Sequence, residues 1–350
     1  MATLTFKNSQ IIGCSITLGE VKHCIDEEPY YYENDPTLLK RLKNNIGFET
    51  RYTAKPQTTT ADLCLNASLR LLKALNFDAK NLDAIISVTQ TSDYIMPGNA
   101  HVLHKMLECP TTTATYDLNH GCSGFIQGLS LAYSLASSGL ENILLVAGDT
   151  LSKKVDPNDR TLAPLFGDAG SAILIRHTDK TFPSFFLLGA DGQGLEKMYI
   201  PAGGCRFPES QAAAQQKSNQ LFMDGFGIFQ FSMQRQPEAM TEILSFADKK
   251  LEAIDYFLFH QANRYIVRTI SSKAGIPAKK VPDYIFSRYG NLNSASIPAL
   301  LCADLASTLI NEKSLVLMQG FGIGLSWGAC ITTLDHIVGL TPVCLGAANA

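Results

Sequence analysis

The chain has 350 residues, 46% of them hydrophobic and 17% charged, with a net charge of −3. One or two domains with a large core are expected; disorder and a polyanion-binding surface are excluded, so no nucleic acid partner is expected. The start, MATLTFKNSQ, lacks the pattern of a secretion signal, and no apolar run reaches the roughly 18 residues of a membrane span. The nine cysteines form no CxxC pair, which argues against a zinc site and for free thiols in a reducing, cytoplasmic setting.

In chain order, a helix is predicted over 59–75 and a strand over "AIISVT" (84–89). A helix over 97–107, a strand over "TATYDL" (113–118) and a helix over 123–138 follow. Strands are next predicted over "NILLVAG" (142–148) and "SAILIR" (171–176). After a polar stretch at 177–185, the pattern gives a helix over 234–250, a strand over "YFLFH" (256–260) and a helix over 261–274. A helix over 296–309 and strands over "SLVLMQG" (314–320) and "ACITTL" (329–334) complete the series. Such alternation predicts α/β layers around parallel or mixed sheets.

The two halves resemble each other. "NLDAIISVTQTSDYIM" (81–96) matches "AIDYFLFHQANRYIV" (253–267), "NILLVAGDT" matches "SLVLMQGFG", and "FGDAGSAILI" matches "FGIGLSWGACIT", in the same order. A duplicated unit of about 170 residues accounts for this. The division is placed at 178/179, giving halves 1–178 and 179–350. The segment "ESQAAAQQKSNQ" (209–220) reads as an exposed excursion.

In "YDLNHGCSGFIQGL" (116–129), Cys122 sits between glycines where a strand turns into a helix. The helix dipole and free backbone N–H groups there should lower the thiol pKa. Gly121 and Gly124 permit a tight turn that pushes a nucleophile outward. The alternative is a small buried thiol in a plain turn. His260 closes a strand and opens a helix, where α/β folds place ligands. Asn291 and Asn293 lie in "RYGNLNSASIPALL" (288–301), just ahead of a helix carrying Pro298. "GFGIGLSWGA" (320–329) leads into a strand and so is not read as a nucleotide loop.

Taken together, Cys122, "HQAN" (260–263), "GNLNSAS" (290–296) and "GFGIGLSWG" resemble ketoacyl-acyl-carrier-protein synthase III, a condensing enzyme of the thiolase fold. The likeness runs over essentially the whole chain, including "DRTLAPLFGDAGSAIL" (159–174). It implies two α/β halves with mixed sheets in an α-β-α-β-α layering. It implies a triad of Cys122, His260 and Asn291, the last chosen over Asn293 because it follows Gly290. It further implies an oxyanion hole from the N–H groups of Cys122 and Gly324, and donor contacts at Arg160 and Asn263. Met96 would reach the partner's acyl pocket in a homodimer. Neither a metal nor a redox cofactor is implied.

The implied reaction is decarboxylative Claisen condensation of an acyl group on Cys122 with malonyl-acyl-carrier-protein, in fatty-acid or specialised lipid or polyketide synthesis. The alternative is acyl transfer to an amine or hydroxyl without decarboxylation. Two departures stand out. Arg264 directly follows HQAN, with Tyr265 where an arginine is usual, and Arg41 falls near the place of a tryptophan used against adenine. Both favour a carrier-protein-bound donor over coenzyme A thioesters. Arg264, Arg268 and Lys273 are the expected docking residues for an acidic carrier protein.

Overall fold

The computed structural model describes residues 1–303 and 305–346. Two mixed sheets form its frame. One has six strands in the order Val338–Cys344, Ser9–Leu18, Ala169–His177, Asn142–Asp149, Ala84–Val88, Ala114–Leu118. The other has five, in the order Ala2–Phe6, Ser184–Ala190, Ser326–Asp335, Lys313–Gly322, Tyr256–Phe259. The first and last strands thus cross over, each joining the sheet formed mainly by the other half.

Between the sheets lie the helices Gly124–Ser137 and Ser296–Cys302. Their faces share one core: Phe125, Leu129, Leu300 and Leu301 pack with Ile86 and Leu145 of the first sheet and Val316 and Met318 of the second. Thr60–Ala74 and Asn99–Met106 cover the outer face of the six-stranded sheet, where Leu71 and Leu103 meet Ile85 and Leu144. Gly225–Phe246 and Arg264–Lys273 cover the other outer face, where Ile243 and Ile270 meet Phe257 and Leu317. Neighbouring residues of one strand, such as Ile85 and Ile86, thereby enter different cores, because side chains alternate across a sheet buried on both faces. The five layers are the α-β-α-β-α arrangement of the thiolase fold.

The matched halves occupy equivalent places. Ala84–Val88 runs parallel to Asn142–Asp149 as Tyr256–Phe259 runs parallel to Lys313–Gly322. Each central strand then pairs antiparallel with the strand after its Gly-rich turn.

Several details differ from the sequence expectation. The helix predicted over 234–250 begins at Gly225, capped by the Asp224 carboxylate on the Gly227 N–H at 2.9 Å. Pro237 inside it masks its true length. The helix predicted over 296–309 ends at Cys302, and a short one follows at Ala306–Leu309. Ser9–Leu18 and Val338–Cys344, which pair in parallel, are strands that apolar periodicity did not single out. The excursion at 209–220 contains one short exposed helix, Gln211–Gln215. Among the described residues no helix is long and apolar enough to cross a membrane.

Candidate active site

Cys122 stands where the strand Ala114–Leu118 gives way to the helix Gly124–Ser137. Space decides the composition of this turn. A Cβ on Gly121 would come within 2.4 Å of Gln90 Oε1, and one on Gly124 within 2.5 Å of Val88 Cγ1. From behind, Gly320 and Gly322 let the strand Lys313–Gly322 lie directly on the cysteine. A Cβ at 322 would sit 2.8 Å from Cys122 Cβ and 3.2 Å from its Sγ.

His260 follows the strand Tyr256–Phe259 and is only 2% exposed. Its backbone N–H donates to the Gln319 carbonyl at 2.8 Å, and its ring Nδ1 lies 2.7 Å from Ser296 Oγ. The Phe321 ring meets the imidazole edge-on, with centroids 5.7 Å apart. Asn291 is pinned across the fold: its N–H donates to the Leu165 carbonyl at 2.9 Å, and its carbonyl accepts from Gly167 at 3.1 Å. Its Oδ1 accepts the Asn293 N–H at 2.9 Å, which leaves the amide nitrogen as its remaining donor.

Cys122, His260 and Asn291 line one cavity of about 440 Å³, together with Arg160 and Asn263. Its walls are otherwise mainly apolar, among them Phe166, Met198, Met223 and Ile228. Arg160, at the mouth, pairs with Glu33 at 2.6 Å. Asn263 caps the helix Arg264–Lys273 through the Ile266 N–H at 2.9 Å.

Asn293 and Asp149 are a feature that sequence reasoning missed as a unit. Cys122 Sγ donates to Asn293 Oδ1 at 2.8 Å, and Asn293 Nδ2 donates to Asp149 Oδ2 at 2.9 Å. Asn293 adopts φ 51°, a left-handed conformation that asparagine tolerates better than most residues. Asp149 also accepts from the Gln90 N–H at 2.8 Å and from Ser294 Oγ at 3.0 Å. A carboxylate accepts only, so it fixes which end of the Asn293 amide faces the thiol.

The expected low thiol pKa is therefore corrected. Burial, and after it the Asp149 carboxylate, push Cys122 up to about 12; its own backbone N–H works the other way and loses. The resting Cys122 side chain is a thiol held by an amide oxygen, because desolvation outweighs the helix terminus.

The expectations for Gly324 and for the docking cations change. Gly324 does not line the cavity; it turns the hairpin after Gly322 with φ 133°, nearest Ser326. The glycine against the thiol is Gly322. Arg264 is not a free docking cation: it packs beneath Gly47 and pairs with Glu49 at 3.3 Å. Arg268 is exposed but pairs with Asp283 at 2.5 Å, and Lys273, five residues on, leaves the face that 264 and 268 share. Tyr265 turns to the cavity mouth and stacks on Phe229, and Leu42 rather than Arg41 lines the wall. Met96, expected at the pocket of a partner copy, is 81% exposed on a loop with Tyr94 and Ile95.

Burial pulls the His260 pKa down to about 3, although the Asn293 carbonyl works the other way. The ring is neutral at physiological pH. The unfolded chain, with a histidine near 6.5, then binds a proton that the folded chain refuses. Stability should fall as pH drops from about 6.5 towards 3, by at most about 1.4 kcal/mol per pH unit from this group. Asp149, raised by burial to about 6, acts in the opposite sense: its contribution declines as pH rises from about 4 to about 6. Thermal melts of His260→Asn between pH about 3 and about 7 should show a flatter acid limb than wild type. An unchanged limb would place the acid sensitivity elsewhere.

Comparison with known proteins bears on the whole chain. Residues 116–192 match the family model of 3-oxoacyl-[acyl-carrier-protein (ACP)] synthase III, and residues 244–334 match the model of its C-terminal part. A putative 3-oxoacyl-[acyl-carrier-protein] synthase 3 of Campylobacter jejuni is 40% identical over 342 residues, spanning 95% of this chain and 96% of the relative. A beta-ketoacyl-[acyl-carrier-protein] synthase III of Fusobacterium nucleatum is 34% identical, over 83% of this chain and 88% of the relative. Among solved structures, a 3-oxoacyl-(acyl-carrier protein) synthase of Burkholderia xenovorans superposes with a TM-score of 0.91 at 34% identity, covering 98% and 99% of the two chains.

Proposed function

The chain belongs to the 3-oxoacyl-[acyl-carrier-protein] synthase III family, and on that premise we propose that it joins an acyl group to a malonyl unit by decarboxylative Claisen condensation. The observation that carries this is the joint presence of Cys122, His260 and Asn291 on one apolar cavity. A nucleophile beside two neutral hydrogen-bond donors suits covalent acyl capture followed by enolate stabilisation.

In the first half-reaction Cys122 Sγ bonds to the thioester carbonyl carbon. The bond from that carbon to the donor sulfur breaks, and the thiol proton ends on the departing thiol. His260 is too weak a base to remove this proton in advance, since its pKa is pulled down while that of the thiol is pushed up. In the second, the carbon–carboxylate bond of a malonyl thioester breaks. Carbon dioxide leaves, and the electron pair passes into an enolate whose oxygen takes hydrogen bonds from His260 and Asn291. The enolate carbon attacks acyl-Cys122, and the oxyanion sits on the Cys122 N–H and an N–H of the turn after Gly322. The sulfur departs, regains a proton from solvent, and the 3-oxoacyl thioester is released.

The acyl carrier protein is the proposed carrier of the malonyl unit. Arg268, exposed on the helix beside the site and paired with Asp283, is the proposed point of approach. The exposed Tyr94–Ile95–Met96 loop supports a homodimer in which this apolar tip is covered by a second copy. The test is intact-protein mass spectrometry with a panel of acyl thioesters, followed by malonyl-acyl-carrier-protein and a carbon dioxide assay. Acyl-Cys122 should accumulate without the malonyl substrate and discharge with one carbon dioxide per product. Discharge to an amine or hydroxyl without carbon dioxide would replace condensation by plain acyl transfer.

A further inference from the structure

A neutral imidazole carries one N–H, so the partner of one ring nitrogen decides what the other offers. In His260 the buried nitrogen is Nδ1, 2.7 Å from Ser296 Oγ. Nε2 is the nitrogen left for the cavity that the ring lines. Ser296 is 1% exposed and opens the helix Ser296–Cys302. Its hydroxyl has one proton and two candidate acceptors: His260 Nδ1 at 2.7 Å and the Asn293 carbonyl at 2.9 Å. The Gln261 N–H points at the same oxygen from 3.4 Å and can fill one of its lone pairs. The shorter contact is the one to the ring.

We propose that Ser296 is a positioning residue that donates to His260 Nδ1 and so holds the ring in the tautomer presenting Nε2–H to the cavity. This rests on the reading of His260 as a hydrogen-bond donor to the enolate. An enolate oxygen needs a donor; a lone pair at Nε2 would repel it. Without the hydroxyl nothing donates to Nδ1, and the Asn293 carbonyl, 2.9 Å from Ser296 Oγ and itself an acceptor for the ring, is the acceptor left on that side. The proton then moves to Nδ1, and Nε2 turns into an acceptor. Acyl capture by Cys122 does not require Nε2–H, so the two half-reactions separate.

The experiment uses the full chain labelled with ¹⁵N-histidine. The ring nitrogen shifts of His260, one of seven histidines, are assigned by their loss in His260→Asn. Wild type should show the Nε2–H tautomer and Ser296→Ala the Nδ1–H tautomer. Carbon dioxide release from malonyl-acyl-carrier-protein should fall about 10²-fold in Ser296→Ala, the usual size of one lost transition-state donor. Acylation of Cys122, read by intact mass, should stay within about threefold. Ser296→Thr keeps the hydroxyl and should recover both the tautomer and decarboxylation. An unchanged tautomer in Ser296→Ala, or an equal loss of acylation and decarboxylation, overturns the proposal. If Ser296→Ala does not fold, the wild-type spectrum decides: an Nδ1–H signal refutes it. Should wild type release no carbon dioxide, condensation fails as the function, while the spectra still judge the tautomer.

Discussion

Cys122→Ala should form no acyl-enzyme yet retain measurable decarboxylation of malonyl thioester, whereas His260→Ala and Asn291→Ala should accept the acyl group and fail to condense. The expected loss of condensation is complete for the cysteine variant and at least about 10²–10³-fold for each donor variant. The asymmetry follows from where the groups sit. Cys122 is the one thiol among the described residues of the cavity wall, while His260 and Asn291 contribute nitrogens from other elements of the fold. Acyl capture exchanges one thioester for another and returns its proton to the departing thiol. It therefore consumes no proton overall: the proton passes from Sγ to the departing sulfur as the bond forms, and the weakly basic His260 is not its acceptor. In the proposed mechanism, decarboxylation places a charge on oxygen that His260 and Asn291 meet.

Three side chains that act in different steps must fail differently, and this is what intact mass and carbon dioxide release distinguish. If His260→Ala loses acylation as fully as Cys122→Ala while decarboxylating normally, the histidine is a base for transfer. Acyl transfer without decarboxylation then becomes the better reading.

The strands and helices that frame this site were legible because each carries a strong period. Ile85, Ile86 and Val88 announce a strand buried on both faces, and Phe125, Leu129, Ala132 and Tyr133 a helical stripe. The duplicated order of glycine turns gave the pairing of halves. The exchange of terminal strands was not legible, since Val338–Cys344 is short, half-buried and interrupted by Pro342. Cys122 and His260 could be placed at strand and helix ends from local motifs, while the choice of Asn291 over Asn293 rested on the family resemblance. Their electrostatics could not be read in this way, because burial and the Asp149 carboxylate arrive through packing between segments distant in sequence. Asn293 is the instructive case. It stood beside Asn291 in the same motif, but only the fold shows that its amide links the thiol to Asp149. Ser296 lay inside the same motif, with no signal to separate it from an ordinary helix-opening serine.

Gly322→Ala should abolish acylation of Cys122 by at least about 10²-fold, the scale at which misplacement near 1 Å acts on a reacting group, while leaving a folded protein. The added methyl would lie 2.8 Å from Cys122 Cβ and 3.2 Å from Sγ, so the nucleophile must move. The strand is restrained: its antiparallel partner holds it at Gly322, and from Val316 to Gln319 it is held on both sides. Lys313–Gly322 pairs parallel with Tyr256–Phe259 and antiparallel with Ser326–Asp335, Gly322 itself facing Ser326. The side chain of Cys122 yields instead, and its hydrogen bond to Asn293 Oδ1 is lost with it.

Gly324→Ala tests the neighbouring glycine by a different route. Its φ of 133° is a conformation that L-residues rarely adopt, and a Cβ there meets only Ser326 atoms at 3.3 Å and beyond. That substitution should cost on the order of 1–3 kcal/mol of stability through backbone strain, with acylation reduced far less than in Gly322→Ala. Melting temperature and the rate of Cys122 acylation, measured on both variants, separate the two effects. Should Gly324→Ala lose acylation while Gly322→Ala keeps it, the geometry of the turn rather than the contact at Gly322 governs Cys122, and the close approach of Gly322 is packing alone.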